Sequence, residues 1–327
     1  MKMIKDLNGN YPDCIVTYFG FEELMKNYEE IDNSVLCIGY NCMWNQTVLD
    51  HIKDHEVKIF FNGEQPCAYS QEKRFGLRSA DVDNLFTDIY TICPYTADWA
   101  NKLYNTEGKF KRALFPIKEK NIVHSTEKKY DAIFYGSICS NEHADTIEAI
   151  SKFNYKFITL GREHWYPNEK VDNIASIADK ITDTNIHTFQ KWQILSQTKI
   201  VPIFNQLYLH DKHIAHIKSY DHWQENKAFS HLEQKMAPQL KPRITEAALF
   251  KMLMLVKRDP WNAIEYWYEP DKDFIYFDSV EELPDLIADI TNNWDDYQSI
   301  LENAYNKAFN NYTTEALLAR MIRETRR

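Results

Sequence analysis

Arg243 and Glu246 stand three residues apart at the head of a segment that is otherwise apolar. In RITEAALFKMLMLV, Lys251 is the only polar residue between Ala247 and Val256. A guanidinium can pair two phosphate oxygens at once, and a carboxylate can accept from two vicinal hydroxyls. At a helix amino terminus, where free N–H groups and the dipole favour anions, the two suit a ligand that carries both phosphate and sugar. On a solvated helix face the same pair would be only an i, i+3 ion pair, worth roughly 0.2–0.5 kcal/mol. The apolar run behind it weighs against that second reading, because a solvated pair seldom opens a buried segment.

Other side chains join the first two by position. In open α/β sheets, ligands gather outside the carboxyl ends of the strands. At such ends in the second half of the chain stand Gly136 and Ser137, then Gly161, Arg162 and Glu163, then Asn205 and Gln206. The run from Gln239 through Lys241 leads into Arg243 and Glu246. Lys199 opens a strand and is counted as an assisting cation. Gly136 is informative because the chain holds only 8 glycines, and glycine lets backbone N–H groups approach a phosphate closely. In the first half, GYNCMWNQ sets Tyr40, Asn41 and Trp44 past one strand, and FNGEQPCAYS sets Asn62, Glu64, Gln65 and Tyr69 past another. These could bind an acceptor, with Glu64 as a base. A loop cap for Glu64 and core packing for Trp44 are the open alternatives. His210, His213, His216 and His222 lack carboxylates or cysteines at ligand spacing, so no metal site is expected.

These residues need a scaffold, and the chain has a pattern for one. DCIVTYFG, SVLCIGY, VKIFFNG and DIYTICP read as short strands separated by segments of helical spacing. After a charged stretch at 107–129, broken by Pro116, the alternation restarts. YDAIFYGS (130–137), NYKFITLGRE (154–163), TKIVPIFNQ (198–206) and FIYFD (274–278) read as strands. NEHADTIEAISKF, FQKWQILSQ, PWNAIEYWYEP and the closing EELPDLIADITNN and DDYQSILENAYNKAFNN read as helices. Strand–helix alternation points to right-handed βαβ units and parallel sheets. The expectation is an α/β chain of two Rossmann-like domains facing a cleft. The first spans 1–118, the second 119–300, and 301–327 close the chain as helices. Residues 207–242, rich in His, Gln and Lys, read as a long functional or mobile loop.

Composition narrows the function. The net charge of −10 weighs against broad non-specific binding to nucleic acid. No apolar window approaches the roughly 18 residues of a membrane span, and the start has no signal-peptide core, so a cytoplasmic protein is expected. The 6 cysteines form no C-x-x-C pair and read as reduced and structural. There is no P-loop, no G-x-G-x-x-G and no G-x-S-x-G, which weakens NTPase, dehydrogenase and serine-hydrolase readings.

Taken together, YDAIFYGS, NYKFITLGRE, FQKWQILSQTKIVPIFN, QLKPRITEAALFK and DPWNAIEYWYEPDKDFIYFDSVEEL resemble the carboxyl-terminal domain of GT-B glycosyltransferases. The closest likeness is to the group-1-like branch with an R-x-x-E-A signature. The likeness covers most of 130–312, and in the first domain it rests on FFNGEQP and YTICPYTADWANKL. It implies an enzyme that moves a sugar from a nucleotide-sugar donor, a UDP-sugar, without a bound metal or other cofactor. The donor would lie in the second domain and the acceptor mainly against the first. Glu246 matches the glutamate that holds the donor ribose, and Arg243 beside it is placed for the diphosphate. Gly136, Ser137 and Arg162 match loops around the donor phosphates and base. The final helix, in NNYTTEALLARM, would cross back to the first domain. Two departures touch the donor sugar: Pro238 stands where the retaining branch has a second glutamate, and FGFEEL has a single glycine where that branch has a glycine-rich loop. The acceptor would be a glycan, lipid or protein. The alternatives are a phage-type DNA glycosyltransferase acting on hydroxymethylated bases and a non-catalytic nucleotide-sugar binder. The Lys/Asn-rich, Gly-poor composition and the basic GKFKRALFPIKEK segment favour the DNA alternative; the two departures favour the binder.

Overall fold

The computed structural model of the chain describes four early strands, Lys2–Met3 (β1), Ile15–Val16 (β2), Val35–Ile38 (β3) and Val57–Asn62 (β4), and residues 86–159, 177–219 and 222–325. The chain divides into two compact units. One comprises Met1–Pro116, Leu209–Leu240 and Asn311–Arg327, the other Ile117–Tyr208 and Lys241–Asn310. Among the described residues no helix is long and apolar enough to cross a membrane.

In the first unit, β3 and β4 continue into Asp88–Thr91 (β5) and Phe110–Arg112 (β6) as a parallel sheet in that order. Strand β6 lies within the charged stretch 107–129 that the sequence marks as a boundary, and the division between the units falls inside the same stretch, just after Pro116. Helix α1, Pro94–Leu103, follows β5, with Pro94 in its first turn, where a missing N–H costs nothing. Ile59, Tyr90, Ala113, Leu317 and Met321 share one core cluster. Leu317 and Met321 come from the terminal helix, and the Tyr90 hydroxyl donates to Glu324 at 2.6 Å.

The second unit is built on a six-stranded parallel sheet. Its order is Ile275–Phe277 (β14), Leu253–Lys257 (β13), Thr198–Ile203 (β10), Tyr130–Tyr135 (β7), Tyr155–Thr159 (β8) and Asp183–Thr184 (β9). The central strands read as nearly unbroken apolar runs, as strands covered on both faces must. Phe134, Phe157, Phe204 and Phe277 are fully buried there, each contributing about 1.5–3 kcal/mol. Helix α2, Asn141–Ile150, is capped by Ser140, whose hydroxyl accepts the His143 N–H at 3.3 Å. Helix α3 spans Thr188–Ser196. Two short strands, Gln206–Tyr208 (β11) and Met236–Pro238 (β12), bound a segment that holds helix α4, Asp211–Ile217, and three single 3-10 turns. The sequence reads this stretch as a loop inside the second domain, but Leu209–Leu240 packs with the first unit.

The segment 239–260 contains a helix, a turn and a strand. Helix α5 is Pro242–Leu249 and β13 begins at Leu253. Between them the Lys251 N–H donates to the Ala248 carbonyl at 3.2 Å and the Met252 N–H to Ala247 at 2.9 Å. This is a Schellman closure, and it needs a left-handed residue. Lys251 supplies it at φ 52, a position that glycine would take without strain. Its ammonium bonds Glu302 at 2.5 Å and lies over the Tyr305 ring. Nearby, the Lys128 ammonium donates to the carbonyls of Ser196, Thr198, Phe250 and Lys251 at 2.8–3.2 Å. One side chain thus serves the carboxyl termini of α3 and α5 together.

PWNAIEYWYEP is not the helix its spacing suggests. Only Ala263–Tyr266 forms a 3-10 turn. Asp259 Oδ1 accepts the N–H groups of Trp261 and Asn262, both at 2.9 Å, and Asn262 takes a left-handed φ of 48. That local bonding competes with a helix. Burial pushes the Asp259 carboxyl up to about 6, against the pull of the backbone N–H groups. Between about pH 4 and 6 the folded chain therefore keeps a proton that the unfolded chain has released, and stability falls as pH rises through that window. Asp259→Asn keeps the acceptor and removes the buried charge. Urea denaturation is expected to show the variant about 1–3 kcal/mol more stable than wild type at pH 7.5, and little different at pH 4.

Candidate active site

The loop after β7 begins with Gly136, at φ +113, whose N–H donates to the Ile158 carbonyl at 2.9 Å. A Cβ built there would lie 2.5 Å from Arg243 Nη2, so the guanidinium lies directly against the glycine backbone. The same Nη2 donates to the Tyr135 carbonyl. The guanidinium carbon is 4.9 Å from the Tyr135 ring centroid and 5.1 Å from that of Phe134. Arg243 is 7% exposed, yet its Nη1 has no hydrogen-bond partner among the described residues. Burial lowers its pKa, and the Tyr135 hydroxyl and Glu246 oppose that.

Helix α5 opens on positive charge. Lys241 occupies the N-cap position without a side-chain cap bond, Pro242 follows, and the first turn has no acidic residue. Burial and the Arg243 charge bring Lys241 down to about 8. Cations at the positive end of a helix dipole are unfavourable by themselves. A buried guanidinium nitrogen without a partner is costly as well. Both costs are relieved by a bound anion.

Glu246, one turn further along, is held on a single oxygen. Lys191 Nζ bonds its Oε1 at 2.5 Å and Trp192 Nε1 approaches the same atom at 3.4 Å. Lys191 also lies 5.5 Å from the Tyr135 ring centroid, and the Trp192 ring stacks on Phe250. The buried Tyr135 hydroxyl lies beside Glu246; burial, then the Glu246 charge, hold its pKa well above 10. Asn205 is two residues past β10 and fully buried, and among the described residues neither its amide atoms nor the Thr245 hydroxyl has a hydrogen-bond partner. The loop itself is pinned by His143. Its Nδ1 accepts the Cys139 N–H at 3.2 Å, and its ring sits between Phe134 and Phe204. Burial, helped by Lys241 and Arg243, keeps that ring neutral and therefore able to accept.

The structure thus brings together Gly136, Lys241, Arg243 and Glu246, with Ser137 next in the loop and Asn205 past the neighbouring strand. Lys199 does not join them. It is the second residue of β10, at the amino-terminal edge of the sheet, where it pairs with Asp131 at 3.3 Å and lies over Trp294. In a parallel sheet that edge is opposite the one where Gly136 stands, so Lys199 is not a donor-site residue. Arg162, Tyr40, Asn41, Glu64, Gln65 and Tyr69 lie outside the described residues, and Asn62 ends β4. Sequence reading missed Lys191, Trp192 and Tyr135. The one signal available was the position of Lys191 and Trp192 near the start of α3, which runs back toward β10 from the carboxyl end of the sheet.

A parallel α/β sheet with an anion site at the carboxyl ends of its strands is a common arrangement, and comparison with solved structures makes it specific: the fold is that of the GT-B glycosyltransferases. The protein HepE from Anabaena, solved with UDP-glucose, aligns at TM-score 0.54 and 10% identity over 93% of this chain and 80% of its own. The pneumococcal O-GlcNAc transferase GtfA, solved with UDP and GlcNAc, aligns at TM-score 0.51 and 11% identity over 86% of this chain. The chain spans only 54% of the GtfA length. A glycosyltransferase from Rickettsia africae aligns at TM-score 0.50 and 10% identity, over 96% of this chain and 83% of that one. Curated protein sequences give no match. The family model described as glycosyl transferase-like matches residues 144–323, more than half of the 327. The chain belongs to that family.

Proposed function

We propose that the chain transfers a sugar from a nucleoside-diphosphate sugar, a UDP-sugar, to a hydroxyl of a glycan, lipid or protein, without a metal ion. The observation that carries this reading is the buried, uncompensated positive charge at the start of α5. There Arg243 keeps an unpartnered nitrogen, and Lys241 stands beside it at a helix amino terminus. Family membership supports it, and so do the UDP and UDP-glucose carried by the GtfA and HepE structures.

In the reaction the bond between the sugar anomeric carbon and the diphosphate oxygen breaks, and a bond to the acceptor oxygen forms. The acceptor proton goes to a base, for which Glu64 is the candidate. Negative charge grows on the departing diphosphate, and Arg243, Lys241 and the α5 amino terminus stabilise it in place of a metal. Glu246 accepts from the ribose hydroxyls. Gly136 and Ser137 let the backbone approach the phosphates. A panel of nucleotide sugars, read for release of free nucleotide with and without EDTA, tests the reading. Turnover of at least one UDP-sugar, unchanged by EDTA, is expected; binding without turnover makes the chain a sensor, and loss with EDTA removes the metal-free mechanism.

A further inference from the structure

Two cations meet one carboxylate in this site: Lys191 bonds Glu246, the charge of Glu246 also acts on Arg243, and Lys241 stands beside Arg243. Arg243 is fixed, being 7% exposed and bonded to the Tyr135 carbonyl. Lys191 is not fixed in that way. Its side chain is 25% exposed, against 8% for Glu246, and a lysine stem can swing a compact charge through several positions. Lys191 and Arg243 approach the same Tyr135 ring, 5.5 and 4.9 Å from its centroid, so the two charges share one neighbourhood. Both contacts to Glu246 fall on Oε1, from Lys191 and from Trp192. If Lys191 leaves, the indole N–H still holds the carboxylate.

We propose that Lys191 is a further diphosphate-binding cation, moving from Glu246 to the phosphates when a nucleoside diphosphate binds. This makes Lys191 the residue that distinguishes a nucleoside diphosphate from the bare nucleoside. The ribose hydroxyls take the place of the ammonium on Glu246, and the ammonium adds its charge to that of Arg243 and Lys241. The proposal rests on the donor-site reading above. It goes beyond it in giving Lys191 a direct contact with the diphosphate.

Lys191→Gln separates charge from position, because its amide can still donate to Glu246 Oε1. Calorimetric titration with UDP, GDP and ADP selects the tightest ligand, which is then compared with its own nucleoside. Lys191→Gln is expected to weaken the diphosphate at least tenfold while changing the nucleoside less than twofold. Lys191→Arg should recover most of the loss. Circular dichroism melts confirm that each variant folds, and the Lys191→Gln/Glu246→Gln double variant, which removes both charges of that ion pair together, gives a second reading of diphosphate affinity should the single one fail to fold. Equal loss of both ligands would mean that Lys191 only positions Glu246, and no loss would mean that it takes no part; either overturns the proposal. Arg243→Ala is the comparison. If it abolishes diphosphate binding while Lys191→Gln leaves the affinity unchanged, the donor site stands and the role of Lys191 falls. If wild-type protein binds none of the three diphosphates, both fall together.

Discussion

Gly136→Ala is expected to reduce turnover by two or more orders of magnitude although it adds only one methyl group. Two independent constraints meet at this residue. Its φ of +113 lies where L side chains are strained, and the added Cβ would stand 2.5 Å from Arg243 Nη2. A backbone forced into such a region costs on the order of 1–3 kcal/mol, and the contact cannot be kept at that distance. Either the loop moves or the guanidinium does, and each breaks the bond from Arg243 to the Tyr135 carbonyl. Loss of one preorganised donor in a site of this kind costs about 10²–10³ in kcat. The methyl also occupies space beside the backbone that the phosphates need. Steady-state kinetics with the active nucleotide sugar, alongside a denaturation curve, checks both parts: a large fall in kcat/KM together with a stability loss of about 1–3 kcal/mol. A variant with normal turnover would mean that Arg243 and the loop can separate without consequence.

That glycine was legible in the sequence because glycines are few and this one follows a strand of unmistakable pattern. Unlike 239–260, whose apolar run reads by periodicity as one long buried helix, the alternation that made β7, β8 and β10 was legible too. Periodicity reports which face a segment buries, and these segments are buried by their immediate neighbours. It reports much less about where a charge ends up. Lys199 and Lys191 are both lysines beside apolar runs. One enters a strand at the amino edge and pairs with Asp131; the other leaves the start of a helix and meets a glutamate 55 residues away. Nothing local distinguishes the two cases, because the contact partner is set by the handedness of the crossover and the length of the helix. Lys251 is the converse. A left-handed position held by lysine hides the turn from a reading that looks for glycine, and what supports it, Glu302 and Tyr305, lies about fifty residues on. The segment 209–240 was misassigned for a related reason: sequence order places it in the second domain, and only packing assigns it to the first unit.

Arg243→Ala should lower kcat and kcat/KM together, by about 10²–10³, while the chain stays folded. The guanidinium does two jobs whose costs differ. Toward the protein it donates one hydrogen bond from Nη2 to Tyr135 and lies against two aromatic rings. Removing that leaves a carbonyl without its donor, a loss of about 1–3 kcal/mol. Part of it is regained, because a buried charge in want of a counter-ion disappears as well. Toward the ligand it offers Nη1, which is buried and has no hydrogen-bond partner among the described residues. An unmet donor is held at a cost to stability, and the cost is recovered when negative charge arrives. It is recovered most fully when that charge is greatest, on the departing diphosphate. The interaction therefore belongs more to the transition state than to the bound donor, so the loss should appear in kcat and not mainly in KM. Arg243→Lys sharpens the test, since one ammonium cannot bond Tyr135 and reach the phosphate as a rigid fork does. It should fold as well as wild type and recover little of the rate. If the lysine variant were fully active, general positive charge would suffice; if the alanine variant were, the start of α5 would not be where the leaving group is held.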